Sequence, residues 1–215
     1  MNVIFDMDGV IFDSEKAYIE WYKKLAPKYG LDDADAVHRA CMDSIGVTRA
    51  KTKEIFFSYV GREFDYDRYR EDVQTELNKR EFELKPGVFA LFDWLREKGI
   101  AIALASSTRW VSVSKMLESA HLTRYFDAIV CGDMVSHSKP HPEIFLTAAG
   151  RLHADPAGCY VIEDSYNGIR AARAAGMHPI MVPDILQPDD EIRGLAEVVL
   201  PSLHEVRSYL EGQSV

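Results

Sequence analysis

The chain has 215 residues, 47% of them hydrophobic, enough for a full globular core with room for an inserted unit, and this composition excludes a disordered chain. Its net charge of −9, from 34 acidic against 25 basic residues, argues against a nucleic-acid partner, because a phosphate backbone requires a basic face. Three scattered cysteines (Cys41, Cys131 and Cys159), no apolar leader and no membrane-length apolar run predict reduced thiols in a soluble, cytoplasmic protein with no membrane partner.

In chain order, Val3-Ile4-Phe5 reads as a short buried strand. It ends in Asp6 and Asp8, one residue apart, with Gly9 following. Two carboxylates about 4 Å apart repel by roughly 4 kcal/mol at an effective dielectric near 20. The pair is therefore either a solvated polar turn or a site that is paired or bound to metal. Asp13 or Ser14 is placed to cap a helix that starts near Glu15. From Lys16 to about Arg80 aromatic and charged residues mix at helical spacing, which predicts a helical insert. Tyr18, Trp21, Tyr22 and Leu25 fall on one face, and Ile55, Phe56 and Tyr59 on another. Lys85-Pro86-Gly87 ends the insert and supplies a hinge.

Beyond the hinge the rhythm changes. A helix is predicted over 88–98, closed by Gly99, then a strand over 100–105 and a helix over 110–120. A strand over 128–131 leads to a helix over 142–152, and a strand over 160–162 leads to a helix over 167–175. Short strands near 179–182 and 198–200 and a helix over 203–210 complete the chain. Strands that are continuous apolar runs, alternating with helices, predict an α/β fold with a doubly wound parallel sheet buried on both faces. Ligands bind such sheets at the carboxyl ends of the strands.

Four predicted strand ends carry chemistry. The first has Asp6 and Asp8, the second Ser106, Ser107 and Thr108, the third the loop with Lys139, and the fourth Glu163, Asp164 and Ser165. Four acids (Asp6, Asp8, Glu163, Asp164) on one sheet edge repel unless a divalent cation joins them, and hard oxygen donors suit Mg²⁺. A hydroxyl and a lysine opposite suit phosphate oxygens. One aspartate can attack phosphorus, and an acid two residues on can protonate the leaving oxygen and then activate water. His137 and His141 flank Lys139, but the intervening Pro140 argues against a helical metal pair.

The segments FDMDGVIFDS, LASST, SKPHPEIF and VIEDSYNGI together resemble the haloacid dehalogenase superfamily, and more closely its β-phosphoglucomutase-like branch of phosphatases and mutases. The resemblance covers essentially the whole chain. It implies a core over 1–13 and 87–215 and an α-helical cap over 14–86. It implies Asp6 as nucleophile, Asp8 as general acid/base, Ser106 as phosphate ligand and Lys139 as charge stabiliser. It implies Mg²⁺ on Asp6, Asp164 and the main-chain carbonyl of Asp8, with Glu163 supporting through water.

Ser107 and Arg49 are candidate substrate contacts. Arg49 lies in a Gly46-Val47-Thr48-Arg49 loop similar to one in the mutases. Ile45 stands where the mutases carry a lysine, and Tyr18 where they carry a histidine. These departures favour a phosphatase acting, as a monomer, on a small phosphorylated metabolite, a sugar or polyol phosphate. A phosphosugar mutase is the alternative, and a non-catalytic binding module on the same fold is a third reading.

Overall fold

The computed structural model describes residues 1–61 and 64–213. Six strands form one sheet: β1 (Asn2–Phe5), β2 (Ile102–Ser106), β3 (Ala128–Cys131), β4 (Cys159–Glu163), β5 (His178–Met181) and β6 (Val198–Val199). Their order is β3-β2-β1-β4-β5-β6 and every pairing is parallel, as the unbroken apolar runs predict. Sequence order reverses at β1, which lies between β2 and β4. That is where an open parallel sheet leaves a crevice for a ligand.

The two faces follow from strand alternation. Val3 and Phe5 pack against α5 (Val88–Glu97), α6 (Trp110–Ser119) and α10 (Leu203–Gln213), with Phe5 edge-on to Phe92 at 4.9 Å. Ile4 points to the other face and joins Phe145 and Ala148 of α7 (Glu143–Arg151) and Ala171 and Ala172 of α8 (Tyr166–Ala174). No helix among the described residues is long and apolar enough to cross a membrane.

Between β1 and α5 run α1 (Glu15–Leu25), α2 (Ala34–Asp43), α3 (Arg49–Val60) and α4 (Tyr66–Leu77). They enclose their own core of Trp21, Tyr22, Phe56, Tyr66, Tyr69 and Val73. Tyr22 and Tyr69 meet edge to face at 5.2 Å, so the aromatic residues that marked the insert in the sequence hold it together. The two chain crossings between insert and sheet run side by side: the Asp13 amide donates to the Glu83 carbonyl and the Lys85 amide to the Ile11 carbonyl.

The structure departs from the sequence expectations in places with visible causes. β2 starts at Ile102, not Ile100, because the Ile100 amide turns back to the Leu95 carbonyl and finishes α5. A sixth core helix, α9 (Asp190–Leu195), was not anticipated. At six residues it is too short for a periodic signal, and Asp189 starts it by accepting the Ile192 amide. Ser14 does precede α1, but its side chain makes no cap hydrogen bond.

Candidate active site

A tight loop follows β1. The Gly9 amide donates to the Phe12 carbonyl and the Ile11 amide to the Met7 carbonyl. Gly9 has φ +78°, and a Cβ there would lie 2.2 Å from Asp164 Oδ2, so only glycine allows the β1 and β4 loops to meet. The hydroxyl of Ser14, free of capping, donates to Asp8 Oδ1 at 2.6 Å, and Thr108 Oγ1 donates to Asp8 Oδ2 at 2.8 Å. Both Asp8 oxygens are thereby held in one orientation.

Lys139 is buried and all three of its donors are used. Nζ donates to Asp6 Oδ1 and Glu163 Oε1, each at 2.6 Å, and to the Ala105 carbonyl at 3.2 Å. Burial opposes its charge, but Asp6 and Glu163 outweigh that and hold its pKa above the ordinary lysine value. The other Glu163 oxygen accepts from the Asp164 amide, the Ser165 amide and the Ser165 hydroxyl. Four hydrogen bonds fill the acceptor capacity of that carboxylate. Ser106, fully buried at the end of β2, accepts the Thr108 amide.

A cavity of about 470 Å³ opens at this sheet edge, between Asp6, Asp8, Ser107 and Thr108 on one side and Tyr18, Ile45 and Arg70 of the insert on the other. Ser106, Lys139, Glu163 and Asp164 are buried and do not border it. The loop carrying Ile45 and Gly46 is docked to the sheet edge. Ser107 Oγ donates to the Gly46 carbonyl, Asn167 Nδ2 to the Ile45 carbonyl and the Thr48 amide to Ser138 Oγ. Ser107, expected to face substrate, is thus engaged with the insert.

Arg49 borders the cavity, yet its guanidinium donates to Asp67 Oδ1 at 2.9 Å, and Lys53 takes the other Asp67 oxygen at 2.7 Å. The Lys53 hydrogen bond, opposed by burial and joined by Arg49, holds the Asp67 carboxyl below the usual range. Lys51 is paired with Glu54. The basic residues in and after the Gly46–Arg49 loop are therefore already paired with acids.

Acidic charge outweighs basic charge around Asp6. Carboxylate oxygens of Asp6, Glu163 and Asp164 lie within 4.8 Å of one another. A pair of full charges at that separation costs about 3.5 kcal/mol at an effective dielectric near 20. Burial pushes the Asp6 carboxyl up to about 7, against the pull of Lys139 and with Glu163 and Asp8 adding to the rise. Asp164 is raised well above its ordinary value, first by burial and then by Glu163 and Glu15. Among the described residues no donor reaches the Asp164 side chain or Asp6 Oδ2. Buried, mutually repelling, hydrogen-bond-poor oxygens beside a single lysine fit a hard divalent cation such as Mg²⁺.

Three groups at the site escaped the sequence reading. Glu15, half-buried on the cavity wall, has its carboxyl raised well above the ordinary value by burial and by Asp8 and Asp6. Its position directly after Ser14 was the available signal. Asp184, in the loop after β5, accepts Lys85 at 2.8 Å with one oxygen, and its other oxygen is buried without a partner among the described residues. Arg70 reaches the cavity from α4. Nothing local in the sequence marks Asp184 or Arg70. His137 and His141 stack at 4.5 Å beside Glu143 on the surface and do not border the cavity.

Residues 3–182 match the family haloacid dehalogenase-like hydrolase, and the chain belongs to that family. A phosphorylated carbohydrates phosphatase of Thermotoga maritima is 35% identical over 181 residues, 83% of this chain and 82% of the relative. A β-phosphoglucomutase of Bacillus subtilis is 34% identical and spans 94% of this chain and 93% of its own. The crystal structure of β-phosphoglucomutase from Clostridium difficile superposes with a TM-score of 0.84 at 25% identity, covering 99% of this chain and 96% of that one.

Proposed function

We propose that the chain is a Mg²⁺-dependent phosphoric monoester hydrolase that removes phosphate from a small sugar or polyol phosphate, with residues 14–86 closing as a cap over a core of 1–13 and 87–215. The observation that carries this reading is the pairing of two differently held carboxylates in one cavity. Asp6 keeps an oxygen open, while Asp8, two residues away, is clamped by Ser14 and Thr108.

In this reading Asp6 attacks phosphorus, its oxygen bonds to the phosphoryl group, and the ester oxygen leaves with a proton from Asp8. Asp8, now ionised, takes a proton from water as that water attacks the aspartyl phosphate, releasing inorganic phosphate and restoring Asp6. Ser106 gives its hydroxyl proton to a phosphoryl oxygen in this reading, and Lys139, buried away from the cavity wall, supplies its positive charge through Asp6, with Glu163 orienting it through their 2.6 Å contact. Asp6, Asp164 and the Asp8 main-chain carbonyl would hold Mg²⁺, which when bound supplies positive charge against both the phosphate and the carboxylate repulsion.

Hydrolysis is favoured over transfer to a sugar because a mutase must clamp a second phosphate with more than one cationic group and exclude water, whereas Arg49, Lys51 and Lys53 are already paired with acids and Arg70 alone of the cavity's cap cations lacks one among the described residues. The test is phosphate release from a panel of phosphomonoesters with Mg²⁺, including β-glucose 1-phosphate with and without glucose 1,6-bisphosphate. Release is expected to stop with EDTA and in Asp6→Asn, and little glucose 6-phosphate should form. Rapid, bisphosphate-dependent formation of glucose 6-phosphate would replace this reading with the mutase.

A further inference from the structure

We infer that Arg70, rather than Arg49, is the cap residue that binds the far end of the substrate, and that this end carries a second anionic group, a carboxylate or a second phosphate. The inference deepens the phosphatase reading and rests on it.

Arg70 projects from α4 into the cavity that Asp6 and Asp8 border. Its guanidinium lies 5.0 Å from the Tyr18 ring centroid and 5.7 Å from that of Tyr22. Stacking on aromatic faces holds a guanidinium plane in place without using up its N–H donors. The guanidinium also hydrogen-bonds the Tyr18 side chain, but Arg70 Nη1 is buried and has no hydrogen-bond partner among the described residues. Among the described residues no carboxylate comes within 4.0 Å of Arg70, whereas Arg49, Lys51 and Lys53 each have one.

Arginine does not shed its proton to escape such a position. A lysine there could become neutral, but a guanidinium stays charged, and its orphaned donor stays unsatisfied until something with acceptor oxygens arrives. Glu15 does not fill that role. The groups acting on its carboxyl are Asp8, Asp6, Asp184 and Glu163, which place it with the acids of the sheet edge. A neutral hydroxyl would satisfy Nη1 but leave the charge uncompensated. A carboxylate or phosphate meets both needs and presents two oxygens to a planar fork. The ligand then has a phosphate at Asp6, a body passing Tyr18, and an anionic tail on Arg70.

Sequence pattern pointed to Arg49 because its loop is similar to the mutases' loop. The structure separates the two arginines by what already neutralises them: Asp67 holds Arg49, whereas among the described residues Arg70 meets the neutral Tyr18 and Tyr22 and no carboxylate.

The experiment compares three probes: 6-phosphogluconate with a carboxylate tail, fructose 1,6-bisphosphate with a phosphate tail, and sorbitol 6-phosphate with a neutral one. Each is measured as kcat/KM on the wild type and as Kd by calorimetry on the full-length Asp6→Asn protein with Mg²⁺. At least one anion-tailed probe should be preferred over the neutral one by about tenfold to a hundredfold, the range of a charged hydrogen-bonded contact. In Arg70→Met that ratio should fall to about one, and Arg70→Lys should keep part of it. Which anionic probe leads identifies the tail. No preference in the wild type, or a folded Arg70→Met that keeps the ratio, overturns the inference. If Arg70→Met does not fold, an undiminished ratio in Arg70→Lys overturns it equally. Arg70-dependent binding without phosphate release from any probe would sink the phosphatase reading and leave this inference standing.

Discussion

Gly46 joins the insert to the sheet edge through a contact that admits no side chain. It has φ +79°, and a Cβ there would lie 2.3 Å from Ser165 Oγ and 2.8 Å from Ser165 Cβ. Ser165 cannot turn away cheaply, because its hydroxyl donates to Glu163 and accepts the Gly168 amide at the start of α8. In Gly46→Ala the loop must retreat by about 1 Å to reach ordinary contact distance. That stretches the hydrogen bonds from Ser107, Asn167 and the Thr48 amide, now 2.7 to 3.2 Å, past useful length. Three such bonds at about 0.5–1.5 kcal/mol each, plus about 1 kcal/mol for alanine in a left-handed conformation, put the closed arrangement about 2.5–5.5 kcal/mol higher. Every 1.4 kcal/mol is tenfold, so kcat/KM for phosphate release should fall by about 60-fold or more. The insert's own aromatic core is untouched, so the melting temperature should change little. A folded Gly46→Ala enzyme with wild-type kcat/KM would show that docking of this loop is not needed for turnover.

Thr108→Val removes the donor to Asp8 Oδ2 and leaves Ser14 on the other oxygen. It should lower kcat by about tenfold with KM little changed, as expected for a loosened acid/base, and a loss confined to KM would assign Thr108 to substrate binding instead. Asp127 accepts the Ile102 amide and Arg96 at the start of β2. Burial pushes its carboxyl up, but those two donors outweigh burial and hold it below the usual range. Because the folded value is the lower one, Asp127 stabilises the fold above its unfolded value near about pH 4, and that stability is lost as pH falls below it. The side chain is 38% exposed, so screening keeps the effect under about 1 kcal/mol. Asp127→Asn should therefore lower the melting temperature slightly at neutral pH and converge with the wild type in acid; parallel melting curves at all pH values would contradict this.

The sequence by itself determined the parallel sheet and which polar side chains gather on its edge. Val3–Phe5 and the apolar runs near Leu104, Val130 and Val161 are buried on both faces, and that double burial leaves an unbroken hydrophobic signature. A chain that returns to the same sheet edge after every strand must bring Asp6, Asp8, Ser106, Lys139 and Asp164 together, wherever they stand in the sequence. Periodicity also reported the aromatic insert, because one helix face must be apolar for the helices to pack.

Partner identity was left to tertiary structure. Asp67 neutralises Arg49 from 18 residues away, Ser14 gives its hydroxyl to Asp8 rather than to the end of a helix, and Ser107 closes on Gly46. Local sequence assigned each of these side chains a plausible nearby or substrate partner, and each found its actual one across an interface. Arg70 is the sharpest case: an arginine on an amphipathic helix reads as a solvated charge until α1 and α4 pack and place it against Tyr18 and Tyr22, where its donor has no water to turn to. The positions of polar groups along a chain are written in local pattern. Whether each is left charged, paired or unsatisfied depends on desolvation, and desolvation exists only once the elements have packed.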